Sequence, residues 1–256
     1  ELSRELDPKD TAGNVICLHV ANPSAFRDYV RFFVPEDGKN LNRVFPGKKD
    51  GTLSERIAST ITEKLQFKSD YYLDLHAGDT SEEVMPFVYY NVAAGEKIAR
   101  VSANMAMAAD MEVRASSTAT TGAYSSACQR GLPAILMERG GGGKFTDSEV
   151  QAYKRDVKNI MIRMGLLSGE EVHTVQQKNV TRAEYLEAET DGLWYPVFSA
   201  GDTFAGGAVL GTVRDIWGNL LREYRADYPG IVLYQTVGLG VKTGDPLIAY
   251  GEYVDR

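Results

Sequence analysis

Four short apolar runs, each bounded by turn residues, constrain this chain's fold more than any other feature. Asn14 to Val20, Tyr71 to Leu75, Val84 to Tyr90 and Ala134 to Met137 are rich in β-branched and aromatic residues, continuous rather than alternating. Such runs predict strands buried on both faces. Helical segments lie between them at Leu53 to Leu65, Ala94 to Ala109, Gly122 to Arg130 and Ser148 to Leu167, several opened by Ser, Thr or Asp at cap positions. The alternation predicts an α/β fold, a mixed and largely parallel sheet flanked by helices. In such folds ligand sites gather at the carboxyl ends of the strands.

After about residue 168 the helical periodicity stops, and short β-like runs separated by Gly-Asp turns take over. We expect a division into residues 1–168 and a small β domain over 169–256. Within the latter, "VFSAGDTFAGGAVLGTV" and "TVGLGVKTGDPLIAYG" repeat one plan, a Gly-Asp turn followed by an apolar strand ending in Gly. This predicts a sandwich with internal pseudo-symmetry; two unrelated hairpins are the alternative.

At 256 residues, 43% of them hydrophobic, the chain is long enough to bury a full core. Its net charge of -7 argues against nucleic acid or an anionic membrane as partner and favours small molecules or proteins. No apolar run is long enough for a membrane span. Cys17 and Cys128 stand far apart without metal or disulfide spacing, which fits a cytoplasmic setting.

Three histidines can be weighed. His19 lies inside "VICLHVAN", where a hydrogen-bonded core histidine is expected, and His173 in "EEVHTVQQ", where a solvated one is. His76 ends the run "YYLDLH", with Asp74 two residues earlier on the same side. That is the pairing of imidazole and carboxylate used around metals, although Asp-x-His alone is equally a structural pair. Glu138 ends "PAILME" and precedes "RGGGGKF". Desolvation there would raise its pKa toward a general base's range; a glutamate bonded to the glycine backbone is the alternative. The glycines would let main chain approach a ligand closely, but Phe145 after Lys144 rules out a phosphate loop. In "PEDGKNLNRVFPG", Asn42 and Arg43 sit between a Gly38 turn and a Pro46-Gly47 stop. An arginine fork beside an amide suits a carboxylate, with a structural salt bridge as the bland reading.

Taken in order, "PEDGKNLNRVFPG", "DLHAG" and "GLPAILMERGGGG" resemble the succinylglutamate desuccinylase/aspartoacylase family, relatives of the zinc carboxypeptidases. The resemblance extends over nearly the whole chain, including "GNVICLHVANPSAF" and a tail similar to the family's barrel-sandwich-like domain. It implies a zinc carboxypeptidase-like fold, one zinc ion, and hydrolysis of an amide in a small substrate bearing a carboxylate. It implies substrate binding by Asn42, Arg43 and Arg31, with Arg31 polarising the carbonyl. His76 would be a zinc ligand, Asp74 its supporting carboxylate and Glu138 the general base. Two departures stand out. The family's His-Gly-x-Glu motif, source of two further zinc ligands, is absent, so the site is expected to be incomplete and the chain to be part of a longer protein. The arginine that aspartoacylase carries upstream of its base is missing from "AYSSACQRG", where Arg130 falls out of register, which weakens an acyl-aspartate substrate. A carboxylate-binding protein without chemistry and a carboxypeptidase-like peptidase are the alternatives. "RDIWGN" has no lysine at a carrier-like tip, so the tail's roles left open are covering the cleft and homo-oligomer contacts.

Overall fold

The structure, a computed structural model, describes residues 1–253. The chain runs through α1 (Leu2–Glu5), α2 (Pro23–Asp28), α3 (Leu53–Lys64), β1 (Tyr72–His76), β2 (Glu82–Val84) and β3 (Phe87–Asn91). Next come α4 (Glu96–Ala108), β4 (Val113–Ser117), α5 (Ala123–Gln129), β5 (Ala134–Glu138) and α6 (Asp147–Arg163). Only strands follow: β6 (Lys178–Val180), β7 (Ala183–Glu187), β8 (Gly192–Pro196), β9 (Thr203–Phe204), β10 (Val209–Arg214), β11 (Leu220–Arg225), β12 (Gly230–Thr236), β13 (Gly240–Val241) and β14 (Pro246–Glu252).

The first sheet has the order β1-β5-β3-β4-β6. Its pairs are parallel except β3 with β5, so it is mixed and largely parallel as expected. Helices α4 and α6 cover it through Val88, Met105, Met111, Ile135, Met137 and Ile160. Thr52 and Thr146 open α3 and α6 with reciprocal capping boxes, each closed by a glutamate three residues on.

Two of the expected strands behave differently. Asn14 to Val20 forms no strand, and Val15, Ile16 and Leu18 are exposed. β-branched residues favour a strand only where a ladder and a packed face are offered. This segment lies off the sheet, next to a bridge between Thr11 and Leu167. His19 is therefore not a core histidine; it is exposed, with Nε2 3.2 Å from Ser3 Oγ. The run Val84 to Tyr90 breaks at Met85-Pro86. Proline has no N–H for a ladder, and the chain changes sheets there.

Consequently β2 belongs to the other half of the molecule, where Tyr234 of β12 faces Val84. β6, conversely, pairs in parallel with β4. The sheets thus cross the division expected at residue 168. Phe87, Val113, Ala115, Val180, Ile231 and Leu233 form one core across it. Burying a side chain as large as Phe87 or Leu233 contributes about 2 kcal/mol.

The tail comprises sheets β11-β10-β8-β13 and β2-β12-β14-β7, packed around Trp194, Leu210, Leu247 and Tyr250. The two repeats sit in corresponding places: β9, inside the first, pairs with β12, the strand that leads into the second, while β13, inside the second, pairs with β8, the strand that precedes the first.

Candidate active site at the strand ends

His76 and Glu138 are register partners at the last rung of the parallel β1–β5 ladder. Their side chains face each other, with His76 Nδ1 3.6 Å from Glu138 Oε1. On the other side of the ring, Nε2 lies 3.4 Å from Asp74 Oδ1. A histidine between two carboxylates holds its proton. Burial works to lower the His76 pKa, but the charge and hydrogen bond of Asp74, with the charge of Glu138, raise it to about 9. Burial dominates at Glu138 and, with the charges of Glu82 and Asp74, outweighs His76 and raises it to about 7. That value suits a general base working near neutral pH.

The frame around Asn42 and Arg43 is built from below. Val34, Leu41 and Phe45 are buried against Ala58 and Ile61 of α3. Asp37 Oδ2 accepts from the Ser54 amide at 2.8 Å and from its hydroxyl, tying the frame to the start of α3. Gly47 has φ +83, and a Cβ there would lie 2.2 Å from the Glu55 carbonyl, so only glycine closes the frame. Leu41–Arg43 form a single 3-10 turn capped by Asn40. At three residues per turn, neighbouring side chains diverge by about 120°. Asn42 Oδ1 accepts the Ala123 amide of α5 at 2.7 Å. Half of the Asn42 amide is therefore committed to the fold, and its nitrogen remains for a ligand. Arg43 is exposed, its positive charge works against protonation of His76, and it forms no ion pair among the described residues.

Arg31 lies in the same neighbourhood but is held: its Nε donates to Asp79 Oδ2 at 2.6 Å, in the loop following β1. Asp79 Oδ1 in turn accepts from the amide and hydroxyl of Ser81. The glycine run is shaped by the chain itself. It packs on the 78–82 backbone, where a Cβ at Gly141 would lie 2.5 Å from the Glu82 carbonyl. Arg130 is bonded to Ser126 and Gln66 and lies over the Phe67 ring.

Sequence reasoning missed two neighbours of this cluster. Glu82 is half-buried; burial and Asp79 raise its pKa, while Arg31 and His76 oppose the rise. Tyr234, from the tail, stacks on Phe87 at 6.4 Å, and burial, Tyr185, Glu82 and Glu138 hold its hydroxyl far above its ordinary pKa. No local motif marks either residue, because the β2–β12 pairing brings them in.

The donor set does not fit a complete zinc centre. Catalytic zinc takes three protein ligands, including neutral imidazoles with a free ring nitrogen. Both ring nitrogens of His76 face carboxylates. Among the described residues no group of three His, Cys, Asp or Glu side chains is arranged to hold a metal ion. Asp74 Oδ2 is buried and has no hydrogen-bond partner.

Fold and site together define a mixed α/β protein with an Arg, His and Glu constellation at the end of its sheet, completed by a β-rich tail. Residues 1–164 match the succinylglutamate desuccinylase/aspartoacylase catalytic domain, and the chain belongs to that family. It is 30% identical to the N-alpha-acetyl-L-2,4-diaminobutyric acid deacetylase of Halomonas elongata, over all of this chain and 77% of the relative. The product-bound ectoine utilization protein EutE (DoeB) from Ruegeria pomeroyi superposes with a TM-score of 0.89 at 26% identity, over 98% of this chain and 79% of that one. A succinylglutamate desuccinylase/aspartoacylase from Rhodobacter sphaeroides has the same fold, with a TM-score of 0.87 at 24% identity over 100% and 80% of the two chains.

Proposed function

We propose that this protein is an amide hydrolase that deacylates a small N-acyl amino acid. The observation that carries the reading is Glu138, a desolvated carboxylate with a pKa near 7, held 3.6 Å from His76 at a strand end. The deacetylase name of the Halomonas relative supports it. Arg43 and the Asn42 amide nitrogen hold the substrate carboxylate through charge-assisted hydrogen bonds. Glu138 takes a proton from water as its oxygen bonds to the acyl carbon. The carbonyl electron pair moves onto oxygen, where the Arg31 guanidinium stabilises it. When the carbon–nitrogen bond breaks, Glu138 returns the proton to the departing amine, leaving a carboxylic acid and a free amino acid.

Zinc, which the family resemblance implies, has His76 as its one candidate ligand among the described residues. A cytoplasmic setting belongs to the same proposal, supported by the two free thiols Cys17 and Cys128. Among the described residues no helix is long and apolar enough to cross a membrane.

The test measures acid release from N-acyl amino acids by the parent and by Glu138→Gln, with product-amino-acid binding followed by calorimetry. A loss of about 10²- to 10⁴-fold in kcat with binding retained is expected. Binding without acid release by the parent would establish a carboxylate-binding protein instead.

A further inference from the structure

We propose that Tyr153, a residue of α6 outside the substrate site, is the positioning residue that sets His76 against Glu138; this rests on the deacylase reading. Its hydroxyl lies 2.7 Å from the carbonyl oxygen of His76 and 2.7 Å from that of Met137. These oxygens belong to the last residue of β1 and to the residue immediately before Glu138 on β5. One side chain therefore joins the two strands at the rung where the reacting groups emerge.

The ladder needs this join at that point. Beyond the His76–Glu138 rung, the backbone bond from Arg139 to the His76 carbonyl has stretched to 3.4 Å. A hydroxyl has one proton, so Tyr153 shares it between the two carbonyls and fixes their separation. The anchor is rigid. Its ring packs on the core beneath α6, and that helix starts with the Thr146 and Glu149 capping box. A phenol carries its proton at neutral pH, so it serves as the donor to both carbonyls. Catalytic geometry tolerates about 0.5 Å of displacement, and side chains at strand ends move with their backbone.

The experiment is Tyr153→Phe, which keeps the ring and removes the join. In the full chain with an N-acyl amino acid we expect kcat to fall at least about tenfold with KM within about twofold, as misplacement of a catalytic group produces. In a Glu138→Gln background the same substitution has no further effect on kcat, because the group it positions is gone. Independently of activity, the ring resonances of His76 in NMR spectra shift in Tyr153→Phe, while those of His19 and His173 stay in place. If Phe at this position prevents folding, a difluorotyrosine there keeps the ring, strengthens the donor and must move the His76 signal. Unmoved His76 resonances overturn the proposal whatever the kinetics. An inactive parent overturns the deacylase reading and leaves the resonances to decide the positioning.

Discussion

Arg139, the residue after the proposed base, controls the stability of the site's support. Its Nε and Nη2 donate to Asp156 Oδ2 at 3.1 and 2.8 Å, and Nη2 also reaches the Asp110 carbonyl at 3.3 Å. The Asp156 side chain is fully buried and that of Arg139 nearly so. Arg139→Met keeps the stem and removes the charge, leaving Asp156 with the Asp110 amide at 2.9 Å as its hydrogen-bond donor. Stripping one partner from a buried pair costs about 3–5 kcal/mol. At about 2–4 °C per kcal/mol for a chain of this size, Tm falls by about 6–20 °C. The loss carries a pH sign. Burial raises Asp156 above its ordinary 3.8 even though Arg139 and the Asp110 amide pull it down. A carboxyl raised in the folded state contributes stability that is fully present below its unfolded pKa and is lost as pH rises through the folded one. Removing Arg139 enlarges the rise, so the gap between parent and variant is smallest in acid and widens toward neutral pH. Scanning calorimetry between about pH 4 and pH 8 reads it. Adding Asp156→Asn restores most of the loss, because the neutral amide still accepts from Asp110. A gap below about 2 °C at neutral pH, a gap that widens in acid, or a double variant no more stable than the single one refutes the reasoning.

Three further outcomes are expected. Arg43→Ala removes charge-assisted bonds worth about 1.5–3 kcal/mol and raises KM about 10- to 150-fold, measured by initial rates; an unchanged KM removes Arg43 from the substrate site. With Glu138 near 7, kcat/KM falls about tenfold per pH unit on the acid side of that value and levels off above it; a profile flat down to pH 5 would exclude Glu138 as the base. Burial works to raise Asp37, but hydrogen bonds from Ser54, Thr52 and Lys39 hold it well below its ordinary 3.8. Its stabilisation is present above 3.8 and lost as pH falls below it, so Asp37→Asn flattens the acid limb of Tm against pH, and an unaltered limb contradicts the assignment.

What was legible in the sequence depended on whether a residue's surroundings are local or distant along the chain. β5 was readable because Ala134 to Met137 are buried on both faces, and a continuous apolar run records that. Asp74, His76 and Glu138 were readable for a related reason. A strand that ends on a polar residue in a parallel sheet delivers that residue to the ligand edge. "GNVICLHV" has the same composition as a buried strand and yet is exposed, because β propensity reports how well side chains would pack and not whether a partner strand is present. β4 escaped notice for the opposite reason: "VRASS" carries little apolar signal, and its place between β3 and β6 is supplied by its neighbours.

The site's remaining members show how the tail takes part in it. Glu82 raises the pKa of Glu138, and the negative charges of both reach Tyr234. Glu82 faces Thr236 on β12, more than a hundred residues later, so a pairing between the halves of the chain places this carboxylate beside the proposed base. Asn42 makes the complementary point. Read as a ligand contact, it spends its oxygen on the first amide of α5, so the turn that presents Arg43 is fixed to a helix packed on the first sheet. A loop can hold a charged fork at one position only if its other side chains are committed elsewhere. Asn42 and Asp37 are committed in this way, each to a helix amide, Gly47 lies hard against the backbone of α3, and the exposed Arg43 forms no ion pair among the described residues.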